Sequence, residues 1–154
     1  MTSPLALDAW AGRAGVALLR VSLGTMFLAH SIVLKLLTYT LPGTAAFFEG
    51  VGLPGWLAYV TFAAEAVGGT ALVLGVQARW VALLLSPFLL GALAAVHWAK
   101  GWVFTAPGGG WEYPAYLVVL CVAQALLGDG AWALRPSTSP SRLFGLVHLR
   151  PRLG

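Results

Sequence analysis

The chain has 154 residues, of which 59% are hydrophobic and only 9% are charged, and its formal net charge is +4. Soluble domains carry about a quarter charged residues, so this composition excludes an ordinary water-soluble domain. The mean hydropathy of +0.84 instead predicts an integral membrane protein whose surface faces lipid.

Four apolar stretches approach the ~20 residues that a helix needs to cross a bilayer. They cover residues 14–38, 56–76, 79–99 and 113–134. We therefore predict an all-α fold, an integral membrane four-helix bundle, with a single four-span domain over residues 1–134.

The first span contains three basic side chains, Arg20, His30 and Lys35. These charges and the length of the span disfavour a cleaved signal peptide, so we expect the segment to be retained. At about 1.5 Å per residue, His30 lies about 12 Å below the end of its span, and Glu65 in the second span lies at nearly the same depth. A buried carboxylate is costly unless it is paired, so we predict His30 as its first partner, with Lys35 within reach of both.

The arc that these basic residues occupy follows from helical geometry. With ~100° per residue, Arg20, His30 and Lys35 fall within about 140°, which allows all three to face a bundle interior.

On the opposite half of the membrane, Arg20 and Asp129 lie at similar depth, and we predict a structural ion pair between them. Gln124, near the middle of the fourth span, is expected to form an interhelical hydrogen bond.

The loops and the tail complete the topology. Arginines are concentrated at one end of the spans, and because an excess of Arg and Lys marks the cytoplasmic side, we predict that both termini are cytoplasmic. Residues 39–55 predict a short interfacial helix or re-entrant segment between helices 1 and 2, capped at Thr44 and running through Phe48. Residues 135–154 predict a basic cytoplasmic tail on anionic lipid.

The glycine-rich loop over residues 100–112 has two interpretations. It is either a flexible loop within a belt of interfacial tryptophans or a lid over an outward-opening pocket. A weak internal repeat is also present, since Arg13 precedes His30 and Lys35 much as Arg79 precedes His97 and Lys100. Two hairpins of similar design would produce this pattern.

Metal and dithiol chemistry have little support in the sequence. The lone cysteine, Cys121, excludes an intrachain disulfide and a dithiol relay. We predict no metal site, because no ligand cluster has the required spacing. A haem held by His30 and His97 is disfavoured because their predicted depths differ by roughly 8 Å.

An ordered set of residues across positions 14–134 resembles the DoxX family of small bacterial membrane proteins. The set comprises Arg20, Gly24, His30, Lys35, the FFEGVGLPGW loop, Glu65, Gly68, Gly69, Gly75, the GGGWEYPAY segment and the LGDGAWAL end. This chain departs from the family pattern in having His30-Ser31 where His-Gly is usual, which puts tight packing at that position in question.

The resemblance implies a multi-pass protein of the bacterial inner membrane associated with redox systems. One branch of the family is similar to the large subunit of thiosulfate:quinone oxidoreductase, so the resemblance implies a subunit of, or accessory to, a quinone-linked membrane complex. The expected partners are the lipid bilayer and other membrane subunits, without nucleic acid. No covalently bound cofactor is expected, and quinone is the candidate ligand.

These considerations leave three functional hypotheses open. The first is a quinone pocket made by His30, Lys35, Glu65, Trp102 and Trp111, in which the first three are the candidate catalytic residues. The second is a non-enzymatic scaffold or assembly subunit of a larger membrane complex. The third is a small solute or lipid carrier. Whether the chain is itself an enzyme is left open.

Overall fold

The computed structural model describes residues 4–139, so most of the predicted tail lies outside the described residues. Five α-helices make up this part of the chain. They are α1 (Pro4–Leu28), α2 (Leu41–Gly50), α3 (Trp56–Leu74), α4 (Ala78–Ala92) and α5 (Glu112–Leu127). The first helix continues without a break as a π-helix over Ala29–Thr38, and α4 continues as a π-helix over Leu93–His97 and a 3-10 turn over Trp98–Lys100.

Three of the helical segments are long and apolar enough to cross a membrane. They are Leu5–Thr38, Trp56–Leu74 and Ala78–Lys100. The fourth, α5, is apolar but has only 16 residues, and residues 128–134, which we expected to end the fourth span, form turns. Helix α5 is therefore about 24 Å long, against a hydrocarbon core of about 30 Å.

The distribution of side chains is the reverse of that in a soluble protein. Large apolar side chains, such as Leu18, Val67, Leu84 and Val119, are exposed on the outside of the helices. Several polar side chains are buried, namely Arg20, Ser31, Glu65, Ser86 and Gln124. Lipid solvates the first group and excludes the second, so the predicted all-α membrane fold is confirmed. The number of membrane crossings stays a prediction.

The helices pack as two hairpins that close into a ring. Helix α1 packs against α3, and α4 packs against α5, while contacts of α3 with α4 and of α1 with α5 join the hairpins. The core between them is built mainly from leucines, alanines and one aromatic ring, with Cys121 fully buried. The ring thus encloses an interior in which the buried polar groups lie.

Glycines allow α1 and α3 to cross with their backbones in direct contact. A methyl group added at Gly24 would lie 2.7 Å from the carbonyl oxygen of Gly69, and one added at Gly69 would lie 2.9 Å from that of Gly24. Both distances are shorter than van der Waals contact, so a side chain at either position would push the helices apart. Small residues have this role in membrane helix packing generally.

The short helix α2 lies in the connection between the first span and α3. It begins earlier than the sequence suggested. Its N-cap is Thr40, not Thr44, and the Thr40 hydroxyl accepts a hydrogen bond from the backbone N–H of Gly43. Thr40 has a positive φ of 61°, which a sequence pattern does not reveal. Thr44 is buried and donates to the carbonyl of Thr40. The interfacial position of α2 stays a prediction.

We call the side of the ring that carries α2 and residues 101–111 the loop end, and the opposite side the strap end. At the strap end, residues 128–137 form a segment, here called the strap, that joins the two hairpins. The N–H of Ala131 donates to the carbonyl of Arg13, and that of Leu134 donates to the carbonyl of Leu74. Because these are backbone bonds, the strap fixes α1 and α3 whatever side chains it carries.

The glycine crossing gives a first prediction. Gly24→Ala should lower the free energy of unfolding by about 1–3 kcal/mol, the usual cost of overpacking, because the new methyl group meets the backbone of α3. The measurement is equilibrium unfolding in detergent micelles. Gly91→Ala is the matched control, since a methyl group there meets no atom within 4 Å; it should be neutral or stabilising, and equal losses in both variants would contradict the close crossing.

Candidate functional site

A buried ion pair lies between the first span and α3, toward the loop end. The Nζ atom of Lys35 is 2.5 Å from Oε2 of Glu65, and the two side chains are only 15% and 9% exposed. Lys35 comes from the π-helical end of the first span, and Glu65 comes from the middle of α3. The direct partner of Glu65 is therefore Lys35, and our expectation that His30 would occupy this position was wrong.

The π-helix determines which residues reach this interior face. In an α-helix, residues five apart such as His30 and Lys35 would point about 140° away from each other. A π-helix bonds each N–H to the carbonyl five residues earlier, so residues five apart lie one turn above each other. The bond from the N–H of Tyr39 to the carbonyl of Leu34, at 2.9 Å, has this pattern. The predicted 140° arc assumed α-helical geometry throughout the first span, which the π-helix over Ala29–Thr38 does not have.

His30 lies beside the ion pair and is held in one orientation. Its Nδ1 is 3.0 Å from the carbonyl oxygen of Met26, and because a carbonyl only accepts, Nδ1 carries the hydrogen. In the neutral ring Nε2 is then the free acceptor. The His30 ring is stacked on Tyr113 of α5, with ring centroids 6.4 Å apart and an interplanar angle of 23°. His30 is also within electrostatic range of Glu65.

Tyr113 connects this polar group to a cleft at the loop end. The cleft has a volume of about 340 Å³. Four aromatic side chains and one carboxylate line it, namely Trp102, Phe104, Tyr113, Tyr116 and Glu112. The sequence indicated Trp102, but Tyr113 and Tyr116 were missed as pocket residues, although they belong to the GGGWEYPAY segment that carries the family resemblance.

The five residues of the predicted pocket thus divide into two groups. Trp102 lines the cleft, and Trp111 supports it from behind, edge-on to Trp102 with centroids 4.5 Å apart. Lys35 and Glu65 pair inside the ring, and His30 stands between the two groups through its contact with Tyr113. The structure describes this order of contacts, while the binding of a quinone stays a prediction.

The glycine-rich loop that carries Trp102 is tied down by its own backbone. The N–H of Gly110 donates to the carbonyl of Val103, and the N–H of Glu112 donates to that of Trp102. The Glu112 carboxylate in turn accepts from the N–H of Phe104 at 2.9 Å. A side chain at Gly110 would collide with the carbonyls of Trp102 and Val103, which is why glycine is needed there. The loop is a closed wall of the cleft.

His97 repeats the arrangement of His30 in the second hairpin. Its Nδ1 is 2.9 Å from the carbonyl oxygen of Gly109, so this ring also carries its hydrogen on Nδ1. His97 ends the π-helix that extends α4. Both histidines therefore lie in π-helical turns and bond to backbone carbonyls, while the internal repeat stays a prediction.

At the strap end, the predicted ion pair between Arg20 and Asp129 is not formed as a direct contact. Arg20 is 2% exposed and donates to the carbonyl of Ala131 at 3.2 Å. Asp129 instead accepts hydrogen bonds from the N–H of Ala78 at 2.9 Å and from the N–H of Ser137 at 2.8 Å. The carboxylate is used to cap α4 and fix the strap, so only long-range attraction to Arg20 remains.

Two further residues close the C-terminal end of α5. Gln124 donates to the carbonyl of Gly128 at 2.6 Å, so it caps its own helix and is not the interhelical contact that we expected. Arg79 donates to the carbonyls of Ala125 and Leu126. A cation at a helix C-terminus stabilises the unpaired carbonyls there. These contacts are structural and lie at the end of α5 opposite to the cleft.

Comparison with known proteins identifies one matching family and one similar protein. The DoxX family model matches residues 15–98, a range that includes Arg20, His30, Lys35 and Glu65. A protein of Bacillus subtilis (strain 168) named "Putative oxidoreductase CatD" is 32% identical over 133 residues, which cover 86% of this chain and 93% of that relative. No solved structure matches the chain.

The ion pair gives a second prediction. Lys35→Met should lower the free energy of unfolding by about 3–5 kcal/mol, because it leaves the Glu65 carboxylate buried without its counter-charge. The double variant Lys35→Met/Glu65→Met should recover most of this loss, since neither charge then remains inside the ring. The measurement is a double-mutant cycle from unfolding in detergent micelles.

Lys100→Met is the control for this cycle, because Lys100 is exposed at the same end of the molecule and its loss should change stability little. If the double variant lost the sum of the two single losses, the charges would act independently and the pair would have no role in holding α1 on α3.

Proposed function

The chain belongs to the DoxX family, and from this premise we propose that it is a quinone-binding subunit of a membrane redox complex. The observation that carries the proposal is the buried Lys35–Glu65 pair, with His30 in electrostatic range of Glu65 and stacked on Tyr113 of the aromatic cleft. Ionisable groups inside a membrane protein are expensive and usually functional. The relative named as an oxidoreductase supports the redox assignment.

The cleft supplies aromatic walls and one hydrogen-bond donor for a quinone ring. A quinone needs flat apolar walls and a hydrogen-bond donor for each carbonyl, and sites for such ligands are mostly apolar with few polar groups. Trp102, Phe104 and Tyr116 offer aromatic faces. The Tyr113 hydroxyl offers a donor, since it makes no hydrogen bond within residues 4–139. When bound, the quinone supplies the redox chemistry, and a partner subunit exchanges the electrons.

We assign separate roles to the residues of this chain. His30 holds or releases a proton at Nε2, the nitrogen that the Met26 contact leaves free. Tyr113 orients both the ligand and the His30 ring. The Lys35–Glu65 pair holds α1 against α3 and sets the electrostatic environment of His30. The tied loop over residues 101–111 holds Trp102 and Phe104 in the wall of the cleft.

The location of the site follows from the charge distribution. With the arginine-rich strap end in the cytoplasm, both termini lie inside and the cleft opens toward the outer face of the bacterial inner membrane. The proposal therefore places the quinone head group at the outer leaflet, where its apolar tail can remain in lipid.

The third prediction tests the bound ligand directly. Protein purified from native membranes in mild detergent should retain an organic-extractable quinone, measured by chromatography against protein concentration. Tyr113→Phe, which removes only the hydroxyl, should lower the retained amount about tenfold, the order of one lost hydrogen bond to a buried ligand. Glu65→Gln should also lower it.

Tyr59→Phe is the matched control, because Tyr59 is an exposed tyrosine on α3 outside the cleft, and it should retain quinone like the unmodified chain. Absence of quinone from the unmodified protein, together with stoichiometric co-purifying polypeptides, would contradict the proposal and favour the assembly-subunit alternative.

A further inference from the structure

A shallow, open hollow lies on the outward face of α3, on the opposite side of this helix from Glu65. Its volume is about 440 Å³. It is lined by Ala66, Val67, Thr70, Ala71, Leu74 and Val76. The small side chains make its floor, and Val67 and Leu74 are exposed along its edges. We call this hollow the α3 groove.

The α3 groove is apolar along its whole length. Thr70 is its sole hydroxyl-bearing residue, and that hydroxyl donates to the carbonyl of Ala66 at 2.8 Å within the same helix. No donor is therefore left for a polar ligand. A groove of this kind on the lipid-facing side of a helix suits a hydrocarbon chain.

The strap crosses the end of the α3 groove and adds a positive charge there. The N–H of Leu134 donates to the carbonyl of Leu74 at 3.2 Å, and Arg135 forms a parallel bridge with Val76. Arg135 is exposed, and its guanidinium makes no hydrogen bond or ion pair within the described part of the chain. Arg79, by contrast, already donates to carbonyls of α5. Arg135 is thus an exposed cation beside Val76, the last residue that lines the groove.

We propose that the α3 groove and Arg135 form a binding site for one anionic phospholipid. One acyl chain lies along the groove from Ala66 to Leu74, and the phosphate meets Arg135 where the strap crosses the helix end. Arginine binds phosphate well because its planar guanidinium matches the oxygen geometry. Exposed Trp132, three residues before Arg135, suits the head-group level of a bilayer.

Charge complementarity selects this occupant over the alternatives. A transmembrane helix of another subunit, or a second copy of this chain, could pack against the small residues of the groove. Neither of these occupants necessarily carries a negative group that would meet Arg135. An anionic lipid supplies the apolar chain and the negative group in one molecule. The site is independent of the quinone proposal, because it lies on another face of α3 and at the strap end.

The fourth prediction uses the full-length chain in nanodiscs of phosphatidylglycerol and phosphatidylcholine in equal amounts. Native mass spectrometry after release should show phosphatidylglycerol retained at least about fivefold over phosphatidylcholine, the preference expected of a charge-assisted contact. Arg135→Gln should reduce the preference to near unity. Ala71→Phe, which fills the groove, should reduce the retention of both lipids.

Two control variants separate the site from general effects. Lys100→Gln removes one exposed charge at the other end of the molecule, and Val119→Phe adds the same ring to an exposed position on α5 outside the groove. Both should behave like the unmodified chain. The proposal is overturned if the unmodified chain shows no preference, if Lys100→Gln loses as much as Arg135→Gln, or if an Ala71→Cys variant cross-links into dimers in membranes.

Discussion

The ion pair between Lys35 and Glu65 is the interaction on which the rest of the loop end depends. It joins the π-helical end of the first span to α3 at a place where both side chains are largely buried. A charge in the low-dielectric interior is tolerated only with a partner of opposite sign. The pair therefore fixes the position of the first span, and with it His30, the ring of Tyr113 and the cleft that this tyrosine lines.

Much of the fold was predictable because lipid imposes a simple rule on sequence. Apolar runs predicted the three helical segments that are long enough to cross a membrane, and the rarity of ionisable residues within them indicated that Lys35 and Glu65 lie inside the ring. The identity of the partners was not predictable, since it depends on whether the helix has α or π geometry near His30. The π-helix over Ala29–Thr38 contacts α2 and α3, and one sequence does not display such tertiary contacts.

The strap end shows a second limit of sequence analysis. Arg20 and Asp129 have complementary charges at similar predicted depth, which favoured an ion pair in the sequence analysis. In the structure, backbone groups bind both side chains instead: the carbonyl of Ala131 accepts from Arg20, and the N–H of Ala78 donates to Asp129. Tertiary backbone contacts of this kind have no signature in composition or periodicity. The same is true of Thr40, whose positive φ moved the start of α2, and of Tyr113, whose role depends on how α5 meets the first span.

The two hairpins share a plan but not a function. Each places a histidine in or after a π-helical turn with Nδ1 bonded to a carbonyl. The first hairpin also has the buried carboxylate of Glu65, whereas Gln124 of the second hairpin caps its own helix. The first hairpin therefore carries the buried acid, and the second contributes Tyr113 and Tyr116 to the wall of the cleft.

The short length of α5 has a consequence for the surrounding membrane. Under the predicted four-span topology, α5 is about 6 Å shorter than the hydrocarbon core, a hydrophobic mismatch that lipids would relieve by local thinning. The three helical segments that are long enough to cross a membrane would impose no such strain, so this topology predicts a bilayer that is deformed on one side of the protein only. That asymmetry would favour neighbours that are equally short on that flank, and would give the protein a preferred direction of assembly without any specific contact.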